Sequence, residues 1–210
     1  MNKHLIILLS LCLTFSFGLS QEFKLVENPA FIQEKIIESN RSTESLKANF
    51  TQEKHMSILN KPFISTGNLA YKAPDKIKWE YEQPFSYIVV LVKNRVTIKD
   101  GDDLQNYDMS QNAVFKEINR VVNGMISGRM LEDKNFINTY YESLYEYKVT
   151  LVPTDAGLKE FIEEIHLVFD NETLEMKVME MIEKEGDKTV VKFIDVKLNE
   201  EIPDETFKSI

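Results

Sequence analysis

The sequence predicts an α+β chain that is mainly β, a curved antiparallel sheet with helices on one face. Three observations predict it. Beyond position 44 most apolar residues alternate with polar ones, which is the period of a half-buried strand. Helical spacing recurs in only two places, near the front and in the middle. Strand and helix patterns never alternate in the βαβ manner, so the strands are expected to be antiparallel.

The first twenty residues stand outside the fold. Lys3 and His4 precede the apolar run Leu5–Phe17, and Gly18-Leu19-Ser20 places small residues before Gln21. That is a secretory signal peptide with cleavage expected after Ser20, and the run is too short to span a membrane comfortably. Residues 21–210 are expected to form one domain. Cleavage removes one lysine and no acid, so the net charge moves from −9 to −10. An acidic chain without a basic cluster is not expected to bind nucleic acid or an anionic membrane non-specifically. Cleavage also removes Cys12, the only cysteine, so the mature domain rests on its core rather than on disulfides. Lipidation at Cys12 is disfavoured because Leu11 stands where a small residue is expected.

Pro29–Asn40 reads as a helix with Pro in its first turn. Phe31, Ile32 and Ile36 supply its apolar side, and Asn40–Thr43 ends it. Leu46–Lys54 reads as a strand, with Leu46, Ala48 and Phe50 on one face. Asn60-Lys61-Pro62 turns into the most informative stretch, Gly67–Pro84. There Leu69 and Tyr71 share a face. After Ala73-Pro74-Asp75, a turn signal, Ile77, Trp79 and Tyr81 share one face and Lys76, Lys78, Glu80 and Glu82 the other. This is a hairpin with an aromatic face and a charged face. Periodicity does not decide whether the aromatic face is an ordinary core or the lining of a cavity for an apolar ligand.

Tyr87–Val92 and Arg95–Ile98 form the next hairpin across Lys93-Asn94, and Asp100-Gly101 turns the chain into Leu104–Met109. Helical spacing then returns. Phe115, Ile118, Val122, Met125 and Ile126 form one stripe within Gln111–Ser127, with Gly124 and Gly128 as possible breaks. The stripe carries no acid or base, so it is a packing face. Tyr145–Leu151, Ile165–Phe169, Leu174–Ile182 and Thr189–Leu198 read as strands, with Pro153–Gly157 a turn between the first two. The expectation is about ten strands in a meander.

Catalytic chemistry is not apparent. The chain has no G-x-S-x-G or S-x-x-K motif. His55 and His166 lie far apart, and His166 falls on the polar side of its strand, where it is expected to be solvated. Adjacent acids such as Glu163-Glu164 point to opposite faces of a strand. No cofactor and no metal are expected. An exported β domain rich in apolar side chains is better suited to binding something greasy.

One ordered set of residues resembles a known family. Phe50-Thr51-Gln52, Gly67-Asn68-Leu69, Lys72-Ala73-Pro74, Trp79 and Gln83-Pro84 follow one another as in the LolA-type periplasmic carriers of outer-membrane lipoproteins. The likeness is strongest over Leu46–Tyr107. It implies an incomplete, unclosed β-barrel with a helical lid over an apolar cavity. It implies no enzymatic activity. It also implies partners: acylated lipoproteins, an inner-membrane ABC-type release complex and an outer-membrane acceptor, with the carrier itself a monomer. The side chains expected to line the cavity are Phe50, Leu69, Tyr71, Ile77, Trp79, Tyr81, Val89, Leu167 and Phe169. The stripe from Phe115 to Ile126 would be the lid. The family often has an Arg just before the Pro, latching lid to barrel. Here Ala73 stands there, and Lys72 alternates to the opposite face. A carrier or sensor of another acylated lipid on the same fold is the alternative, followed by an exported enzyme or structural domain.

Overall fold

The computed structural model describes residues 22–108 and 113–208, with residues 113–119 by backbone alone. The stretch read as a signal peptide therefore lies outside the described residues, as do the side chains of Phe115 and Ile118.

Among the described residues twelve strands form one sheet. They are β1 (Lys24–Leu25), β2 (Ser45–His55), β3 (Phe63–Lys72), β4 (Lys76–Gln83), β5 (Tyr87–Val92), β6 (Arg95–Asp100), β7 (Asp103–Asp108), β8 (Phe136–Glu142), β9 (Glu146–Pro153), β10 (Ile162–Asp170), β11 (Met176–Glu183) and β12 (Lys188–Leu198). The spatial order is β1-β8-β9-β10-β11-β12-β2-β3-β4-β5-β6-β7. Two meanders, β2 to β7 and β8 to β12, thus join along the antiparallel pair β12–β2. Strands β1 and β7 are its two edges, so the sheet is not closed into a barrel. The expected mainly-β, unclosed architecture is what forms.

The helices cover one face. Helix α1 (Pro29–Arg41) starts where Asn28 Oδ1 accepts a bond from Phe31 N at 3.3 Å, with Pro29 in the first turn. It buries Ile32, Ile36 and Ile37 and leaves Phe31 exposed. Helix α2 (Ala113–Ile126) runs through Gly124 and stops before Gly128. Gly128 has φ +70°, and a Cβ there would lie 3.2 Å from Asn40 Cβ and 3.4 Å from Ile37 Cα. Only a glycine makes this bend so close to α1 without strain. A 3-10 turn, Arg129–Glu132, follows. It is fixed from two sides, because the Leu131 carbonyl accepts from Gln33 Nε2 on α1 at 2.7 Å and from Asn138 Nδ2 on β8 at 2.8 Å.

Three apolar clusters result. The first packs α1, Val121 and Met125 of α2, and Met130 and Leu131 against Phe136, Tyr140, Val149, Leu151, Ile165, Leu167 and Phe169 of the β8–β10 half. The second packs Phe50, Leu69, Tyr71, Ile77, Leu91, Val96 and Val191 beneath Ile126. The third lies on the opposite face of the sheet, where Ile202 and Phe207 of the C-terminal segment cover Ile88 and Val90. Strand β5 is therefore buried on both faces, which explains its unbroken apolar run.

Several expectations are corrected. Among the described residues there are twelve strands rather than about ten. β1 is two residues long and shows no period. In β8 an inward Asn138 and a 61 % exposed Ile137 break the apolar alternation. The 153–157 segment is not a simple turn. Strand β9 runs to Pro153, and Asp155 Oδ1 caps the short helix α3 (Ala156–Lys159), accepting from Gly157 N at 2.9 Å and Leu158 N at 3.1 Å. Leu174 is a buried turn residue at φ +61° rather than the start of a strand. His166 is not simply solvated. The register sets it opposite Glu180, and its ring nitrogens lie 2.9 Å from Glu180 Oε2 and 2.7 Å from Glu164 Oε2.

Candidate functional site

The helix-covered face of strands β12, β2, β3, β4, β5 and β6 carries a continuous aromatic surface. Register makes it. Trp79 pairs with Leu69 on one side and Val89 on the other, Tyr81 pairs with Gly67 and Tyr87, and Phe50 pairs with Gly67 and Phe193. Gly67 is the keystone of this arrangement. The β3–β4 register slips between Thr66 and Gly67, and a Cβ at 67 would lie 1.9 Å from the Glu80 carbonyl oxygen and 2.9 Å from Phe50 Cζ. The missing side chain is the space that the Phe50 ring fills. From there Phe50 reaches Trp79 at 4.9 Å between ring centres and Tyr81 edge-on at 5.2 Å. Trp79 also meets Phe193 at 6.3 Å, and Tyr81 meets Tyr87 at 6.1 Å. These are separations at which aromatic pairs attract.

Cover over this face is uneven. Leu69, Tyr71 and Ile77 are buried beneath the end of α2, with 3 %, 1 % and 1 % of their surface exposed. Further along, Trp79, Tyr81, Tyr87, Val89, Ile98 and Phe193 are only half-buried. The aromatic floor thus runs out from under the helix toward solvent. Beneath the helix it is nearly full. A cavity of about 20 Å³ remains, bordered by Leu46, Ala48, Leu69, Met125, Ile126 and Phe193. That is room for about one water molecule, so an acyl chain could enter only by displacing Met125 and Ile126. A larger opening of about 710 Å³ is bordered by Lys47, Asn49, Lys78, Glu80, Asp195 and Lys197, among others. Its lining residues include no aromatic side chain, and two pairs of its polar groups bond to each other, Lys78 with Glu80 at 2.8 Å and Asn49 with Asp195 at 3.2 Å.

Few polar groups enter the aromatic face. The Tyr81 hydroxyl donates to Gln52 Oε1 at 3.0 Å. Burial pushes its pKa up, and the bond to Gln52 and the neighbouring Trp79 indole offset part of that. Burial likewise raises Tyr71, with the Arg129 charge acting against it. The face is therefore neutral over a wide pH range. Among the described residues no group of three or more His, Cys, Asp or Glu side chains could hold a metal ion, and no helix is long and apolar enough to cross a membrane.

The residues singled out from the sequence divide in two. Phe50, Leu69, Tyr71, Ile77, Trp79, Tyr81 and Val89 are brought together here. Leu167 and Phe169 sit elsewhere, 1 % exposed in the cluster closed by α1. Of the stripe on α2, Ile126 reaches the aromatic cluster, Met125 the other one, and Val122 both. Sequence reasoning missed Gln52, Tyr87, Ile98 and Phe193. Phe193 is legible only through its pairing with Phe50 across β12–β2, a contact between residues 143 positions apart.

The Arg latch that the family often has is replaced here by Ala73. Ala73 packs against the aromatic cluster and its N–H bonds to Glu44 O at 2.8 Å. Lys72 lies on the other face, bonded to Ile202 O at 2.8 Å and Asp204 at 2.7 Å. Neither reaches α2. Instead Arg120 of α2 pairs with Asp133, beyond the Gly128 bend, and Arg129 Nε donates to Ser127 Oγ at 2.9 Å. These two ties lie within the helix and the segment behind it, and Val121, Val122, Met125 and Ile126 of α2 pack on the apolar clusters of the sheet.

Comparison with known proteins accords with this architecture. The chain is 28 % identical over 171 residues to an outer-membrane lipoprotein carrier protein of Dechloromonas aromatica (strain RCB), covering 80 % of this chain and 78 % of the relative. Among solved structures, an uncharacterized conserved protein from Thermus thermophilus superposes with a TM-score of 0.52 at 11 % identity, over 86 % of this chain and 93 % of that one. MucB does so with a TM-score of 0.50 at 12 % identity, over 88 % of this chain and 64 % of MucB. At such identities these two likenesses concern the fold alone. The model of the family described as outer membrane lipoprotein carrier protein LolA matches residues 41–209, about four-fifths of the chain, and the chain belongs to that family.

Proposed function

We propose that the mature chain, residues 21–210, is a periplasmic carrier. It takes the acyl chains of lipoproteins released from the inner membrane by an ABC-type complex and delivers them to an outer-membrane acceptor. It works as a monomer, without catalysis. The observation that carries this reading is the aromatic floor built on the buried Phe50, with Trp79, Tyr81 and Phe193 half-buried around it, running under a helix that packs on it through apolar side chains.

The physical need is plain. Each exposed methylene of an acyl chain costs about 0.8 kcal/mol, so several such chains do not cross water unaccompanied. The carrier must cover them and still release them. Apolar contact is non-directional, and the Met125 and Ile126 side chains that fill the space beneath α2 can be exchanged for methylenes of the ligand. Met125 is suited to that because its unbranched thioether adapts to irregular surfaces. Family membership and the Dechloromonas relative's name support the same reading.

The test is direct. Delipidated protein is mixed with a triacylated lipopeptide and, separately, with the same peptide unacylated. Co-elution with the acylated peptide alone is expected. No co-elution with either would remove the carrier reading. The intact mass of the exported protein should correspond to a chain starting at Gln21 without diacylglycerol.

A further inference from the structure

The aromatic floor leads from beneath α2 to one end of the sheet, and that end is tipped with exposed apolar side chains. Here β2 and β4 finish and β3 and β5 begin. Ile58 and Leu59, on the turn between β2 and β3, are 86 % and 47 % exposed. Phe85, between β4 and β5, is 72 % exposed, and Phe63 and Ile64 are exposed at the start of β3. Phe63 falls on the face of β3 that carries Gly67, Leu69 and Tyr71, so it prolongs the floor toward the tip. The turn that bears Ile58 is held in place. Leu59 N donates to Met56 O at 2.9 Å, and Ser57 N donates to Asp187 Oδ1, in the turn between β11 and β12, at 2.9 Å. An ordered scaffold thus keeps large apolar side chains in water, and clustered exposure of that kind marks a place of contact.

Charge and continuity point to what covers it. Residues 56–64 and 84–86 contain one lysine, Lys61, and no acid, in a chain of net charge −9. Glu53 and Glu183, nearest this turn on β2 and β11, are paired with Lys192 and Lys54. Glu82, Asp102 and Glu185 stand exposed on the same end of the sheet, so an anionic surface would repel it. A folded partner needs a matched area of about 800 Å² on each side, whereas a bilayer accepts separate protruding side chains without a matching shape. Behind the tips Tyr81 and Tyr87 stand half-buried with ring centres 6.1 Å apart, and such amphipathic rings favour the headgroup level of a membrane. We propose that this end of the sheet is a membrane-docking surface, on which Ile58, Leu59, Phe63 and Phe85 enter the interface of a zwitterionic bilayer. Its purpose rests on the carrier reading. With the tips seated, an acyl chain passes between bilayer and floor along Phe63, Tyr81 and Trp79 without crossing water.

The experiment floats delipidated mature protein with vesicles of phosphatidylethanolamine and phosphatidylcholine, and with the same vesicles containing phosphatidylglycerol. Binding to the neutral vesicles is expected, unaltered by high salt and no stronger with the anionic lipid. Replacing both Ile58→Ser and Leu59→Ser should weaken it more than about tenfold, while triacylated lipopeptide still co-elutes with the variant. Both side chains are exposed, so the fold does not depend on them. Protein starting at Gln21 has no cysteine, which allows a single polarity-sensitive dye to be placed at Asn60→Cys in the turn or at Asn94→Cys in the β5–β6 hairpin at the opposite end. Dye emission should shift to the blue with neutral vesicles at position 60 and not at 94. No flotation, flotation that survives the double variant, or flotation that requires phosphatidylglycerol and vanishes in salt overturns the inference, and retained lipopeptide co-elution then leaves the carrier reading standing. Self-association through the tips without vesicle binding overturns it as well, in favour of a second copy of the chain. Tip-dependent flotation without lipopeptide binding upholds the docking surface and removes the carrier reading.

Discussion

Lys72 Nζ lies 2.7 Å from Asp204 Oδ1, on the face of β3 opposite Leu69 and Tyr71, and Lys76 Nζ takes the other carboxylate oxygen at 2.9 Å. The two lysines clamp the 3-10 turn Asp204–Phe207 to the outside of the sheet that bears the aromatic floor.

The clamp has a defined pH range. Hydrogen bonds from Lys72 and then Lys76 hold the Asp204 pKa down to about 2, from an ordinary 3.8. A depressed carboxylate stabilises the folded state above its unfolded pKa, and that contribution fades as pH falls through the folded value. Hydrogen exchange of residues 199–208 should therefore stay constant from neutral pH to about pH 4, after correction for intrinsic rates, and the Asp204 contribution should fade between about 4 and 2. Asp204→Asn should loosen the segment already at neutral pH and flatten that transition. A segment equally protected in the variant would show that the ion pairs contribute nothing.

Phe207→Ala separates the two faces of the sheet. Phe207 is 4 % exposed and packs with Ile202 on Ile88 and Val90. Truncating a buried Phe costs about 3–5 kcal/mol, which urea unfolding would register. Lipopeptide affinity of the folded fraction should stay within about twofold of wild type, about 0.4 kcal/mol, since no aromatic-floor residue is touched. A large loss of affinity would mean that the outer cluster shapes the inner face.

Gly67→Ala should damage both stability and binding. The added Cβ meets the Glu80 backbone oxygen at 1.9 Å and the Phe50 ring at 2.9 Å. A backbone atom cannot step aside as a flexible side chain can, and overpacking of this kind costs about 1–3 kcal/mol or more. Displacing Phe50 also moves it off Trp79, so Trp79 emission should change in the folded variant. An unaltered spectrum with unaltered stability would contradict the close approach.

The helix α2 should act as the movable cover. Met125→Ala removes a 7 % exposed side chain at the edge of the small cavity and should cost the ligand-free protein about 2–5 kcal/mol. Bound lipopeptide should restore part of the loss by filling the space. Arg120→Gln cuts the tie to Asp133 and should speed amide exchange in 113–127 modestly, as half-exposed ion pairs are worth about 0.2–1 kcal/mol. Exchange in this segment that is the same with and without lipopeptide, in wild type and both variants, would show that α2 does not gate the site.

How far these features are legible in the sequence depends on whether they are local. The Ile77, Trp79 and Tyr81 face follows from alternation alone, and the structure sets all three in one cluster. Leu167 and Phe169 alternate just as cleanly, yet α1 covers them, because a period says which side is apolar and not what lies on top. Strand β8 escapes notice because Asn138 points inward to bond Leu131 O, a reason that exists only once the 3-10 turn is placed. The two-sided burial of β5 has the same cause, for its outer cover arrives from residues 202–207. Gly67 is visible as a glycine, but the need for it comes from Phe50, seventeen positions earlier in the chain, and from the Glu80 carbonyl.

Strand β5 also bears on how the chain can change over generations. From Ile88 to Leu91 each side chain answers to a different neighbour, the C-terminal segment for two and the aromatic floor for the others. A substitution that suits one set of contacts has no slack on the other side, so this strand should drift slowly and by paired replacements with Ile202 and Phe207. Two strands away, every residue of β7 is exposed, so burial constrains it little. Orthologous chains laid side by side should therefore show variability rising steeply from β5 to β7, with the boundary set by burial rather than by distance from the ligand.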